Sequence, residues 1–159
     1  NNIPTTLHKI GQLIGREVEA KTVAQRFLAS LESLQQQYRN LRTVDVYYQI
    51  WQSPLITFGG GHLVSDVLTL CGAENVFADA GPLVPRVGLE SVLAVDPEVI
   101  IVGQYTQVEA AFDSWRQWPQ LRAVAQGHLY SVDPYLLHRH TPRIIQGALQ
   151  LCDAIDKAR

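Results

Sequence analysis

The clearest hydrophobic pattern in this 159-residue chain is a helical one over residues 17–39. Apolar side chains recur there at three- and four-residue spacing, and neither Gly nor Pro interrupts them. The pattern predicts a helix roughly 35 Å long, which is unusual for a small α/β domain. A shorter helix is predicted before it and ends at Gly15. The apolar positions of the two helices are Leu7, Ile10, Leu13, Ile14, Ala20, Val23, Ala24, Phe27, Leu28, Leu31, Leu34 and Tyr38.

From residue 43 onward the pattern changes to short apolar runs that are typical of strands. Residues 44–50 are rich in β-branched and aromatic side chains and predict a strand. Residues 99–102 form a continuous apolar run between Pro97 and Gly103, as in a buried parallel strand. A third strand is predicted at residues 129–132, and residues 75–77 form a short strand at best.

Helical patterns separate these strands. One helix is predicted after three consecutive glycines at residues 59–61 and ends at Gly72, and a short one has Leu89, Val92 and Leu93 inward. Thr106 and Glu109 resemble a capping box, which predicts a helix from there to Trp115. Thr141 is expected to cap a last helix, with Pro142 at its first position.

The alternation of strands and helices predicts an α/β fold. We expect a Rossmann-like parallel sheet flanked by helices and preceded by the long helix. The charge also changes near Asn40, from net positive before it to net negative after it. We therefore predict a helical segment at residues 1–41 and an α/β lobe at residues 42–159. The overall formal charge of −2 gives no reason to expect a nucleic-acid partner.

The loops at the predicted carboxyl edge of the sheet are unusually apolar. Ligands of parallel sheets bind beyond this edge, whereas surface loops are normally polar. Apolar and aromatic loop residues therefore indicate a concave site for a bulky, partly apolar ligand, with Arg139 as its fixed cation; alternatively, they cap the core. The loop residues are Trp51, Pro54, Leu55, Ile56, Phe58, Val84, Pro85, Tyr105, Tyr135, Leu136 and Leu137.

Other candidate chemistry is weakly marked. The glycines before His62 could hold an anion on backbone N–H groups, but no phosphate-binding Lys follows them. His138 and His140 could contribute to a metal site, although the spacing marks no third ligand. No Gly-x-Ser-x-Gly elbow occurs, so a small α/β enzyme remains only an alternative.

Two cysteines, Cys71 and Cys152, fall on apolar helical faces. The number of cysteines alone allows two buried free thiols or, if the two helices pack together, one disulfide bridge. A bridge would imply an oxidising compartment.

Five segments together resemble the C-terminal half of helical-backbone (class III) periplasmic substrate-binding proteins. This class serves the ABC importers of vitamin B12, siderophores and haem, and the cobalamin-binding branch is the most similar. The segment from Cys71 to Asp79 and the spaced Val87, Glu90 and Val92 are specific to the class. The five segments are Trp51–Gly59, Leu70–Asp79, Pro85–Leu93, Asp96–Ile101 and Arg139–Ile144.

The resemblance implies how the chain is organised. The helix over residues 17–39 would join two lobes, and the N-terminal lobe would be absent from this chain. The cysteine positions match a disulfide within the lobe, which implies a Cys71–Cys152 bridge and a periplasmic location. Glu90 matches a carboxylate that docks onto the membrane permease. The lobe would touch the membrane only through the permease.

The resemblance also implies a ligand and its contacts. The expected ligand is cobalamin or a similar corrinoid, with an iron-siderophore or haem as the alternative. No catalytic residue, resident metal or cofactor is implied. A cobalamin-binding member of the family has a Trp where this chain has Val84 and an acid where it has Tyr135, and Trp51 is expected to compensate. Five residues match cleft positions of the family: Ile50, Ile56, Val84, Tyr135 and Arg139. The apolar loop pattern adds Trp51, Leu55, Pro85 and Leu136 to the expected ligand-binding residues.

Overall fold

Eight helices and five strands follow one another along residues 2–159, which are the residues that the computed structural model describes. In chain order they are α1 (Ile3–Leu13), α2 (Glu17–Tyr38), β1 (Val44–Trp51), β2 (Ile56–Thr57), α3 (Leu63–Leu70), β3 (Ala73–Asn75), α4 (Leu89–Val95), β4 (Val99–Val102), α5 (Val108–Arg116), α6 (Arg122–Ala125), β5 (Leu129–Ser131), α7 (Pro134–Leu137) and α8 (Ile144–Asp156).

The apolar pattern predicted the two N-terminal helices, and the structure packs them against each other as a hairpin. Gly15 has a φ of +68°, a left-handed conformation that glycine adopts without strain, and the chain reverses there. The α2 helix is 22 residues long, or about 33 Å. It buries Ala24, Phe27 and Leu34. Leu13 on α1 is 86% exposed. None of the described helices combines the length and the apolar character needed to cross a lipid bilayer.

The sheet is mixed but mostly parallel, with the strand order β2-β1-β4-β5. Strands β3, β1, β4 and β5 are parallel, which confirms the predicted α/β fold. The β3 strand pairs with the first half of β1, and β2 pairs antiparallel with its second half. The β2 strand was not predicted, because it is only two residues long and depends on pairing rather than on its own pattern.

Alternating residues of the central strands divide the core into two layers. Val46 and Tyr48 of β1 lie in a first core cluster with residues of α2, α3 and α8. Tyr47, between them, lies in a second cluster with Ile100 of β4 and Trp115 of α5. Successive strand residues point to opposite faces of a sheet, so both faces are covered by helices.

The structure joins Cys71 and Cys152 in a disulfide bond, as the resemblance implied. Their Cα atoms are 4.8 Å apart, and both residues are completely buried in the first core cluster. Cys71 follows α3 directly, and Cys152 lies within α8. The bond therefore links the first and the last helix that follow β1 in the chain, α3 and α8.

Two predicted helix caps are wrong. Gln107, not Thr106, precedes α5, and it adopts a left-handed φ of 60° without a side-chain cap. The turn before α5 is held by Gln104, whose Nε2 donates to the backbone carbonyl of Thr106 at 2.8 Å. The α8 helix begins at Ile144, and the Thr141 hydroxyl has no hydrogen-bond partner in residues 2–159.

The predicted loop over residues 133–140 is partly helical. Residues 134–137 form α7, with Pro134 at its first position. The carboxylate of Asp133 caps this helix by accepting a hydrogen bond from the backbone N–H of Tyr135 at 2.8 Å. Pro and an acidic cap favour a helix start, so the local sequence held a signal for α7 that its short length concealed.

Candidate ligand-binding surface

The carboxyl ends of β1, β4 and β5 bring three loops to one edge of the sheet, and backbone pairing adds a fourth. The N–H of Thr57 donates to the carbonyl of Pro85 at 3.1 Å, and that of Gly59 donates to the carbonyl of Leu83 at 3.0 Å. Ile56 also forms an isolated antiparallel bridge with Arg86. These bonds hold Val84 beside β2, so the Val84 loop is part of the same edge.

The inner part of this edge is a cluster of aromatic rings. Phe58 stacks on His62 with ring centroids 3.5 Å apart, and His138 stands perpendicular to Phe58 at 5.0 Å. The hydroxyl of Tyr48 lies 3.0 Å from Nε2 of His138, within hydrogen-bonding distance. Tyr48 is completely buried, so this contact anchors the loop after β5 to the middle of β1.

The electrostatic state of His138 follows from this packing. Burial and, to a smaller extent, the nearby His62 lower the pKa of His138 to about 4. Burial also lowers the pKa of His62, reinforced by His140 and opposed by Asp66. Both rings are therefore neutral at pH 7 and suit an apolar site. Burial raises the pKa of the Tyr48 hydroxyl, so it stays protonated.

An outer aromatic layer lies on top of this cluster. Tyr105, from the loop after β4, and Tyr135 of α7 meet edge to face with centroids 4.6 Å apart. The guanidinium of Arg139 lies 5.0 Å from the centroid of the Tyr135 ring. Tyr105 and Tyr135 are each about half exposed, at 52% and 50%. Two aromatic rings and one cation thus face solvent at the sheet edge.

A groove continues this surface towards the loop after β1. It has a volume of about 430 Å³ and lies between Trp51 and the segment from Gln104 to Gln107. Trp51 is 52% exposed, and its indole N–H donates to the carbonyl of Ser53 at 3.1 Å. This bond orients the ring, about half of which remains exposed.

The predicted ligand-binding residues differ in accessibility. Trp51, Val84, Tyr135 and Arg139 are exposed, and Ile50, Leu55, Ile56 and Leu136 are half-buried. Leu55 packs against the second core cluster, on the α4 and α5 side, rather than joining the aromatic rings. Pro85 is buried, and its backbone carbonyl accepts the hydrogen bond from Thr57 that holds the Val84 loop in place.

Sequence reasoning left four residues of this surface out of the expected ligand set: Phe58, His62, Tyr105 and His138. Phe58 and Tyr105 were recognised as apolar strand-end residues, and His138 was noticed only as half of a possible metal pair. Within residues 2–159, no group of three or more His, Cys, Asp or Glu side chains is placed to hold a metal ion. Glu90, the expected docking residue, is exposed in the first turn of α4.

Comparison with known proteins gives the class that this fold and surface define. The sequence profile of the periplasmic binding protein family matches residues 2–136. The chain belongs to this family, whose members bind solutes and are not enzymes.

Vitamin B12-binding proteins are among the proteins that this chain resembles. The chain is 35% identical over 161 residues to the vitamin B12-binding protein of Photorhabdus laumondii, covering 96% of this chain and 56% of that protein. The crystal structure of the periplasmic vitamin B12-binding protein BtuF of Vibrio cholerae matches with a TM-score of 0.88 and 29% identity. That match covers 98% of this chain and 61% of BtuF. The chain thus spans little more than half the length of these relatives.

A haem-binding protein shares the fold. The periplasmic haem-binding protein RhuT from Roseiflexus sp. RS-1 matches with a TM-score of 0.86 at 19% identity. The match covers 98% of this chain and 62% of RhuT. Because the identity is so low, this likeness shows only that the backbone arrangement is the same.

Proposed function

We propose that this chain is the C-terminal lobe, with the helix between lobes, of a periplasmic substrate-binding protein that serves an ABC importer. The protein captures cobalamin or a similar corrinoid and delivers it to the permease. The observation that carries the proposal is the exposed aromatic surface of Trp51, Tyr105 and Tyr135 beside Arg139. A flat, mostly apolar macrocycle with polar groups at its rim fits such a surface.

The chemistry of the surface favours a ligand held by shape and apolar contact. Neutral His62 and His138 support the aromatic layer without adding charge, because burial lowers the pKa of both rings. Arg139 stacks on that layer and would bind a polar group at the ligand's rim. The names of the relatives, which bind vitamin B12, support the same ligand class.

The exposed apolar side chains of α1 and α2 support a second lobe that packs beside the hairpin. Leu13 and Val18 are 86% and 78% exposed, and Ile14 is 65% exposed. Side chains of this kind normally become buried against another part of the protein when they cluster. A second lobe would also supply the other half of the ligand contacts.

The experiment is a titration of the two-lobed protein with cyanocobalamin, followed by tryptophan fluorescence and calorimetry. Trp51→Ala and Tyr135→Ala should each weaken binding about tenfold or more, because each removes an exposed aromatic face from the contact surface. Leu149→Ala is the matched control, since Leu149 is similarly exposed but lies on α8. Absence of corrinoid binding together with tight siderophore binding would refute the ligand assignment.

Glu90 is proposed to dock onto the permease. It lies in the first turn of α4, outside the aromatic surface, and its carboxylate is exposed. Glu90→Lys should therefore abolish transport or permease-stimulated ATP hydrolysis while leaving corrinoid affinity unchanged. Glu74→Lys, an exposed carboxylate change on β3, is the control. Normal transport by the Glu90→Lys protein would contradict the docking role.

Haem is a second candidate, favoured by the position of His140. This residue is exposed next to Arg139, and an imidazole can bind haem iron as an axial ligand. Haem propionates would pair with Arg139 or Arg86, which are both exposed. Titration with haemin and a spectrum of the Soret band test this candidate, and loss of the bound spectrum in His140→Ala would support it.

A further inference from the structure

The groove beside Trp51 offers neutral hydrogen-bonding groups rather than charges. Three glutamines line it, Gln52, Gln104 and Gln107, and none of the residues 2–159 that form its lining is charged. Gln104 is the most constrained of the three, because it is only 7% exposed, whereas Gln52 is half-buried and Gln107 is exposed. The position of its amide therefore decides which hydrogen bonds a ligand can form there.

The orientation of the Gln104 amide follows from its partners. The side-chain nitrogen donates to the backbone carbonyl of Thr106 at 2.8 Å and to that of Gln107 at 3.0 Å. A backbone carbonyl can only accept, so the atom that faces both of them must be the nitrogen. An amide NH2 group has two hydrogens, and these two bonds use them both. The nitrogen therefore has no donor left for a ligand.

The amide oxygen of Gln104 stays available. No donor of residues 2–159 forms a hydrogen bond with Oε1, and this oxygen is not one of the fully buried polar atoms that lack a partner. It is therefore accessible from outside the protein. Because Gln104 lines the groove and is otherwise almost completely buried, a ligand in the groove can reach this oxygen.

Gln52, from the loop after β1, repeats this arrangement. Its side-chain nitrogen donates to the backbone carbonyl of Ala110 at 3.4 Å, and its oxygen has no donor among residues 2–159. Both glutamines thus use their nitrogens to bind the protein's own backbone and leave their oxygens as acceptors. Such a groove favours a ligand group that donates N–H bonds, and it disfavours an anion.

We propose that this groove is a subsite for a primary carboxamide at the rim of the ligand, with Oε1 of Gln104 accepting a hydrogen bond from the ligand's N–H. The subsite rests on the proposed function, because it takes the ligand to be a corrinoid, whose macrocycle carries carboxamide side chains. Haem has carboxylates at its rim, and in this groove a carboxylate would face amide oxygens without a cation among the lining residues 2–159. Gln104 thus selects for the ligand's amide groups, whereas Trp51 and Tyr135 provide apolar contact.

The test compares cyanocobalamin with its isomeric monocarboxylic acids, in each of which a different carboxamide is hydrolysed to a carboxylate. Calorimetric titration of the two-lobed protein at pH 7 measures each affinity. One isomer should bind at least about tenfold more weakly than cyanocobalamin, since its carboxylate replaces the N–H donor that Gln104 needs. The isomers all carry the same charge, so a difference among them reports where the altered group lies rather than the charge itself.

A Gln104→Lys variant assigns the loss to this groove. An ammonium group can donate to the carbonyls of Thr106 and Gln107 in place of the amide nitrogen, but it offers no acceptor and attracts a carboxylate. The variant should therefore weaken cyanocobalamin binding and reverse the preference, so that the affected isomer binds at least as tightly as cyanocobalamin. Gln117→Lys, the same change of charge at an exposed position after α5, should leave the ratio of affinities unchanged.

Equal binding of cyanocobalamin and all of the isomers would overturn the subsite. A weakened isomer whose affinity ratio is the same in Gln104→Lys would overturn it too. If circular dichroism shows that this variant does not fold, the side-chain NH2 signals of Gln104 in the unaltered 15N-labelled protein take its place. These signals should differ between the complexes with cyanocobalamin and with the weakened isomer, and identical signals would refute the hydrogen bond. No binding of cyanocobalamin at all would instead refute the proposed function, and the subsite with it.

Discussion

Opening the Cys71–Cys152 disulfide should cost the fold much of its stability. The two cysteines are 81 positions apart in sequence, so the bond closes a loop that contains most of the α/β region. In the chain-entropy model, a loop of this size stabilises the folded state by about 4–5 kcal/mol, because it restricts the unfolded chain. For a domain of about 150 residues, that loss lowers the Tm by roughly 8–20 °C.

The assay compares three forms by urea unfolding, followed by circular dichroism. The first is the oxidised protein, the second is the same protein unfolded and refolded with dithiothreitol, and the third is Cys71→Ala/Cys152→Ala. The reduced form keeps both buried sulfur atoms and so isolates the effect of the crosslink. The double variant should lose about 1 kcal/mol more per site, because each substitution removes a buried atom and leaves a cavity.

The urea dependence provides a second, independent readout. A crosslinked unfolded chain exposes less surface, so the oxidised protein should have a smaller m-value than the reduced protein. If the free energies of unfolding of the two forms differ by less than about 1 kcal/mol and their m-values are equal, the crosslink does not act through the unfolded chain, and the reasoning is refuted.

Three further changes probe the contacts beneath the aromatic surface. Gly103→Ala should lower the free energy of unfolding by about 2–4 kcal/mol, because the new Cβ would lie 2.0 Å from the hydroxyl oxygen of Tyr48 and displace it from His138. Thermal unfolding measures this loss, and the control Gly61→Ala should have little effect. Gly147→Ala should likewise destabilise by about 1–3 kcal/mol, since its Cβ would lie 2.8 Å from the adjoining α7 side chain, and wild-type stability would contradict this. Burial lowers the pKa of His138 to about 4, so between about pH 6.5 and pH 4 the unfolded chain binds one more proton than the folded chain, and stability falls as the pH drops through that window. After discounting for the ring's partial exposure, His138→Gln should remove about 1–2 kcal/mol of that fall between pH 7 and pH 4.5; an unchanged pH slope would rule out His138 as its source.

Secondary structure was predictable where the pattern was long or strongly apolar. Residues 99–102 were predicted as a buried parallel strand and form β4 with those bounds. The helix predicted over residues 17–39 ends at Tyr38. In both segments, burial and local preference favour the same conformation, and no distant contact was needed to identify it.

The wrong predictions fall where strand pairing or a side-chain hydrogen bond, rather than periodicity, decides the conformation. The β2 strand exists because residues 56–57 pair with β1 on one side and meet the Val84 loop on the other. The capping prediction at Thr106 failed because the side-chain amide of Gln104 donates hydrogen bonds to the backbone carbonyls of Thr106 and Gln107 and so sets the shape of this turn. Neither arrangement leaves a periodic signal in the residues that adopt it.

The candidate surface shows the same division. Aromatic residues at strand ends indicated an apolar site at one edge of the sheet, and the structure brings Tyr105, Tyr135 and Arg139 together there. The sequence did not reveal that His138, adjacent to Arg139, faces inward. That orientation results from its contacts with Tyr48 and Phe58, which lie 90 and 80 positions earlier in the chain.

The sequence by itself determined the α/β class, the long leading helix, the apolar character of the strand-end loops and, through the resemblance, the protein family. These properties depend on local periodicity and composition, which any short stretch of chain carries with it. Tertiary structure alone decided that Leu55 lines a different cavity from Trp51 and that Gln49 accepts a hydrogen bond from the indole of Trp115. Such placements depend on which helices cover each face of the sheet, and that packing joins residues far apart in the chain.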